Sequence, residues 1–342
     1  MARTLEKARA ALQRTYRSLY TDAAKELAAD GYHKALAFCD SLLALGVLCA
    51  QTLFQLTRCG KMKRSVQDHL VLALCSHIIG PAPLGAMIFE ATREALEADG
   101  YAVQIVCPPD PRMEVCEALV VDLIRGHHGP VSILTHSASG DFALKAVASL
   151  DPTEGDVRYI IGGDSSLDTE PLGNRIIYRL LRLMAGLPER WADGVYRWFV
   201  AQSAEDMGMT RGANPALFDR YFDEAAQSSL KRWVGPAFAS YHTYAQMQRR
   251  RGGYFEVLEC ICSRGVELFW LLSTPDALRA AVKYRDYLKP IAIPNSRHML
   301  MCQTFEAYIE TVRTILVGEG ERLVTPLETI QPLDKTALTV SA

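Results

Sequence analysis

Apolar positions along this chain fall into two regimes. In residues 4–29, Leu5, Ala8, Leu12, Tyr16, Leu19, Ala23 and Leu27 recur at helical spacing, which predicts an amphipathic helix ended by Gly31. Residues 34–58 are more evenly apolar and predict a second helix. Asp40, Gln51 and Gln55 interrupt it, so it falls short of the roughly 20 uninterrupted apolar residues of a spanning helix. From Asp68 the pattern changes: His69–Leu74 is a short apolar run without polar alternation. His69–Leu74, Tyr101–Val106, Val131–Thr135 and Val157–Ile161 read as strands, with helices expected at 84–98, 113–126 and 141–150. Unbroken apolar strands belong to a sheet buried on both faces. Strand alternating with helix at this spacing predicts an α/β fold with a mostly parallel sheet flanked by helices.

Residues 169–262 lose the alternation. They are rich in aromatic residues and read as a helical insertion. The strand pattern resumes at Val266–Leu272, followed by a helix at 276–288, a short strand at Ile291–Ile293 and a last helix at 302–316. The expected organisation is an N-terminal helical extension (1–67), a core in two pieces (68–168 and 263–317), the helical insertion between them, and a loosely ordered tail (318–342).

Composition narrows the function classes. A chain of 342 residues, 49% hydrophobic and 22% charged, can bury a large core. Its net charge of −2 gives no reason to expect a nucleic-acid partner. The charge is uneven: residues 1–67 hold 11 Lys and Arg against 5 Asp and Glu, the remainder 26 against 34. The basic segment either docks on the acidic body or is drawn to an anionic membrane surface. Nine scattered cysteines without zinc spacing read as reduced thiols of a cytosolic-type compartment, and no apolar signal core occurs in the first thirty residues. The expected location is therefore cytoplasmic, with membrane association through residues 1–67 as the variant. Oligomeric state is not legible.

The candidate chemistry begins at Gly129–Lys145. Here a β-branched run meets a serine among small residues, and a helix-forming stretch follows at once. A sharp strand-to-helix turn exposes a serine Oγ and aims the free N–H groups of the next helix at any oxyanion formed there. Ser137 is the candidate nucleophile, with Ser139 the alternative. The duller reading is a helix cap. Thr135 and Ser139 stand where this turn usually has glycine, and Gly140 comes one position late. A serine nucleophile needs a base and an acid to orient it. Val266–Leu272 runs into Asp276 and Ile291–Ile293 runs into His298, both at strand ends where parallel sheets carry their sites. Asp164, behind Gly162–Gly163, is the alternative acid, and Asp276 also suits a helix cap. His127–His128 lies in a glycine-flanked turn without a ligand at metal spacing and reads as exposed loop. Arg249–Arg251 with Lys231–Arg232 reads as a solvated face, or as a hold for an anionic acyl carrier.

From about residue 68 to 317 the chain resembles the α/β-hydrolase superfamily. Ser76–His77 resembles the start of the family's oxyanion loop. Thr135–Gly140 stands where the family has its Gly-x-Ser-x-Gly elbow, Leu271–Asp276 resembles the acid strand and Pro294–His298 the histidine loop. The resemblance implies Ser137 as nucleophile, Asp276 as acid, His298 as base and a helical cap at 169–262. It also implies oxyanion donors from Ala138 and from the Ser76–Ile79 stretch, Ile78 being favoured. The expected activity is hydrolysis of an ester or thioester of a mostly apolar small-molecule acyl substrate, with no metal or organic cofactor. A same-fold acyltransferase or cyclase, and a non-catalytic binding protein, stand as alternatives.

Overall fold

The computed structural model describes residues 68–76, 78, 80–165, 167, 183–184, 186–206, 215–273 and 275–327. The chain divides between Ser65 and Val66, and the helices expected at 4–29 and 34–58 lie outside the described residues. Six strands form one sheet: β1 (Leu70–Leu74), β2 (Ala102–Val106), β3 (Pro130–His136), β4 (Asp156–Gly163), β5 (Glu267–Leu272) and β6 (Lys289–Ala292). Their spatial order is β2-β1-β3-β4-β5-β6, and every pairing is parallel. Between them run α1 (Ala82–Met87), α2 (Glu90–Ala98), α3 (Met113–Arg125), α4 (Ser139–Ser149), α5 (Glu189–Asp206), α6 (Pro215–Gln227), α7 (Leu230–Arg250), α8 (Phe255–Ser263), α9 (Pro275–Lys283), α10 (Leu300–Gln303) and α11 (Phe305–Leu316).

The runs of the central strands β1 and β3 behave as a doubly covered sheet requires. Val71 to Leu74 and Val131 to His136 are all buried. Successive side chains point to opposite faces, and the core accordingly divides into two clusters. Leu72, Ile133 and Trp270 pack with α3, α4, α8 and α9 on one face. Val71, Leu134, Phe269 and Leu271 pack with α2 and α11 on the other. Arg313 Nε of α11 donates to Asp99 Oδ2 behind α2 at 2.6 Å, tying these two helices together.

Among the described residues, four helices occupy the chain between β4 and β5. Tyr241 and Tyr244 of α7 reach one core cluster, while Tyr196 of α5 and Tyr221 of α6 reach the other. Arg220 of α6 pairs with Glu90 of α2 at 2.6 Å. Among the described residues no helix is long and apolar enough to cross a membrane.

Several element boundaries differ from the sequence reading. The helix expected at 84–98 breaks at Ile88–Phe89, where the chain turns to bury both apolar side chains completely or nearly so. The last helix breaks at Thr304. The tail is docked as far as Leu327: Gly320–Leu323 forms a short helical turn, and Thr325 N donates to Pro290 O of β6 at 2.7 Å.

The sheet order fixes where a ligand can sit. The connection leaving β1 runs to β2 at one side, whereas the connection leaving β3 runs to β4 at the other. Adjacent strands whose connections diverge leave a crevice at their carboxyl ends. The segments after β1 and β3 are 76–78 and 137–138.

Candidate active site

Ser137 follows β3 with φ 55°, in the left-handed region that costs a non-glycine residue about 1–2 kcal/mol. Among the described residues, Asp164, Leu167 and Asn295 share this conformation. All four lie in loops behind β3, β4 and β6, at one edge of the sheet. Strain of this kind persists where surrounding contacts over-determine it, and it gathers at functional sites.

The turn is held from three sides. Ser137 N donates to Gly163 O at 2.8 Å, continuing the β3–β4 ladder one residue into the turn. Ser165 Oγ donates to Ser137 O at 2.5 Å. Ser139 is fully buried, its Oγ accepting from His136 N at 2.7 Å and donating to His136 O at 2.9 Å. These contacts account for the serine that stands at position 139 where a glycine is expected. The serine at position 139 closes the turn upon itself, its hydroxyl engaged as both donor and acceptor by the His136 backbone. Gly163 is required by the close approach of β3 and β4, because a Cβ there would stand 2.8 Å from the backbone oxygen of Thr135. Gly140 makes room for Ser165: a Cβ there would lie 2.3 Å from Ser165 Oγ.

Ala138 caps the start of α4 and is buried. Its N–H belongs to the first turn of that helix, where backbone donors have no intrahelical acceptor. Ser137 itself is half-buried. On the β1 side, Ile78 is half-buried and its N–H points to Ser76 Oγ at 3.4 Å, a long and weak contact.

His298 lies in the loop after β6. Its Nδ1 is hydrogen-bonded to Asp164 Oδ2. The Asp164 side chain is completely buried, and the His298 side chain is 24% exposed. His298 thus engages Asp164, the alternative acid of the sequence reading, at the end of β4. The backbone of Asp276 falls in the first turn of α9, and its side chain lies outside the described residues. One ring nitrogen carries one hydrogen, so the Nδ1 bond to Asp164 leaves Nε2 as the basic nitrogen.

A second histidine completes the arrangement. His136 immediately precedes Ser137 and is fully buried. Its Nε2 donates to the backbone oxygen of His298 at 2.8 Å, and the two rings pack with centroids 4.7 Å apart. Burial, with the nearby His298 adding to it, pushes the His136 pKa down to about 3. The ring is therefore neutral, with its proton on Nε2, because a carbonyl oxygen can only accept. The sequence singled out neither this contact nor the bond from Ser165. The sole available signal was the position of His136 between the strand and the serine.

His127 of the histidine pair bonds Asp68 O at 3.0 Å, which makes it a link between loops and only half-exposed. Among the described residues no group of three or more His, Cys, Asp or Glu side chains is placed to hold a metal ion.

No family model and no curated protein sequence matches this chain. Solved structures do. AqDC, in a structure solved to explain recognition and ring-cleavage of the Pseudomonas quinolone signal, is similar with a TM-score of 0.54 at 15% identity, over 75% of this chain and 93% of its own. A proposed aryl esterase from Burkholderia cenocepacia gives a TM-score of 0.52 at 10% identity, over 75% and 91%. The chain has the α/β-hydrolase fold. In this α/β-hydrolase scaffold, the strained serine turn follows β3, the carboxylate follows β4 and its histidine partner follows β6.

Proposed function

We propose that this protein is a serine hydrolase acting on an ester or thioester of a mostly apolar acyl group. The observation that carries the reading is the bond from His298 Nδ1 to a fully buried Asp164 carboxylate. It lies beside a serine held at φ 55° in a strand-to-helix turn. In this mechanism His298 Nε2 takes the Ser137 Oγ proton as Oγ attacks the substrate carbonyl carbon. Asp164 keeps the imidazole in the required tautomer and stabilises the imidazolium that forms. The N–H of Ala138 and a backbone donor from the 76–78 segment bind the oxyanion; one such donor contributes on the order of a hundredfold in rate. His298 then gives its proton to the leaving alcohol or thiol. A water activated by the same nitrogen releases the acid and regenerates Ser137. The aromatic residues of the chain between β4 and β5 support an apolar acyl group as substrate.

Intact-mass spectrometry after exposure to a fluorophosphonate tests the reading. A single adduct mapped to Ser137, absent from Ser137→Ala and strongly slowed in His298→Ala and Asp164→Asn, is the expected result. Folded wild-type protein that takes up no adduct would overturn it in favour of a non-catalytic scaffold. If the adduct forms, product analysis with water and competing alcohols separates hydrolysis from acyl transfer.

A further inference from the structure

The carboxyl ends of β1 and β2 lie side by side. Leu74 pairs with Val106 as the last step of their register, and Cys75 N donates to Val106 O at 2.9 Å. The next step sets Cys75 beside Cys107, and their sulfur atoms share a hydrogen bond at 2.9 Å. Neighbouring strands run about 4.7–4.9 Å apart, inside the roughly 4.4–6.8 Å Cα separation that a disulfide spans. Gly85 of α1 packs over the pair: a Cβ there would stand 3.5 Å from Cys75 Sγ and 3.6 Å from Cys107 Sγ. Being a glycine, residue 85 adds no side chain of its own against the two sulfurs.

We propose that Cys75 and Cys107 form a reversible modification site, converted by a hydroperoxide into a disulfide that bridges β1 and β2. Cys107 is half-buried and Cys75 buried, so Cys107 meets the oxidant first. Its hydrogen bond to Cys75 also draws its pKa down against the opposing effect of burial, while burial raises that of Cys75. By contrast, burial pushes the thiols of Cys116 and Cys302 up to about 12.

The chemistry balances in two steps. The Cys107 thiolate attacks one peroxide oxygen and the O–O bond breaks. Cys107 becomes a sulfenic acid, and the departing oxygen takes up a proton. The Cys75 sulfur then attacks the Cys107 sulfur, and the S–O bond breaks. The hydroxyl leaves as water with the Cys75 thiol proton. Two thiols lose two electrons and the peroxide gains them. A dithiol reductant reverses the bond. Cys75 leads directly into Ser76–Ile78, so the disulfide would anchor the start of that segment to β2.

The sequence favours a clean test, because trypsin cuts at Arg64, Arg93 and Arg112. Cys75 and Cys107 then fall on the separate peptides Ser65–Arg93 and Glu94–Arg112, each with a single cysteine. The folded full-length protein is treated with hydrogen peroxide, alkylated and digested without reductant. A cross-linked pair of these two peptides, lost on reduction and absent from Cys107→Ser, is the expected result. In Cys75→Ala the resolving thiol is missing, and Cys107 should run on to sulfinic acid. The idea fails if folded wild-type protein yields no such pair, or if the pair forms only after unfolding in urea. The wild-type measurement decides the matter even where a variant does not fold.

Discussion

His298 Nδ1 is bonded to the carboxylate of Asp164, a residue 134 positions earlier in the chain. Asp164 is itself held at φ 50°, with its N–H donating to Leu271 O of β5 at 3.2 Å. The carboxylate is thus aimed by the sheet edge and not by its own side-chain freedom. Asp164→Asn should lower kcat/KM on an activated ester by about 10³–10⁴-fold, the scale set by loss of the correct imidazole tautomer. Asp276→Asn should leave it nearly unchanged. Kinetics on the two variants decide between the carboxylates, and a large loss in Asp276→Asn alone would reverse the assignment.

The backbone of Ser137 carries strain that a glycine would not. Ser137→Gly should therefore raise stability by up to about 1 kcal/mol while abolishing fluorophosphonate labelling. Ser137→Ala should abolish labelling without that gain. Urea melts of the three proteins with equal m-values are the check, and a glycine variant less stable than the alanine variant would contradict the expectation.

Gly140 is fixed by its contact with Ser165. A Cβ at 2.3 Å from Ser165 Oγ must displace the hydroxyl that holds Ser137 O. Gly140→Ala should cost about 1–3 kcal/mol as overpacking. It should also slow labelling of Ser137 more than Ser165→Ala does, because the variant moves the turn as well as losing the bond. Comparable labelling rates in Gly140→Ala and wild type would show that the turn tolerates the methyl.

His136 and His69 make stability fall in acid. Burial lowers the pKa of His136 from 6.5 to about 3, and that of His69 to about 4. The unfolded chain therefore binds protons at these sites that the native state refuses. Stability from both groups is complete above about pH 6.5 and declines as pH falls, levelling only below about 3 for His136. The fully buried His136 accounts for a loss on the order of a few kcal/mol across that window. Urea melts from pH 7 to pH 4 test this, and His136→Phe should flatten the slope. A variant curve parallel to wild type would remove His136 as a source.

His136→Phe carries a second expectation. It keeps the ring packing but deprives His298 O of its donor, and an orphaned acceptor that is only partly buried costs up to about 1 kcal/mol. His136→Gln, which restores an N–H, should recover part of both the stability and the Ser137 labelling rate. No recovery would mean that ring packing, and not the hydrogen bond, positions the histidine loop.

The sequence by itself determined the alternation of strands and helices from Asp68 onward, because unbroken apolar runs and 3.6-residue periodicity are local properties of a chain folding around a doubly covered sheet. It also determined the turn at Ser137, since small residues between a β-branched run and a helix-forming stretch admit few other conformations. The breaks at Phe89 and Thr304 and the docking of Thr325 escaped it, because each depends on what a neighbouring element leaves room for. Only the tertiary structure brought Asp164 to His298. Asp164 and Asp276 both follow strands, on the adjacent β4 and β5, and nothing local distinguishes them. Which one meets His298 depends on how the ends of β4 and β6 converge, and that is set by strand order and by a left-handed turn at Asp164. The contact of His136 with His298 is of the same kind: a buried ring becomes a positioning group when a loop 162 residues away is laid across it.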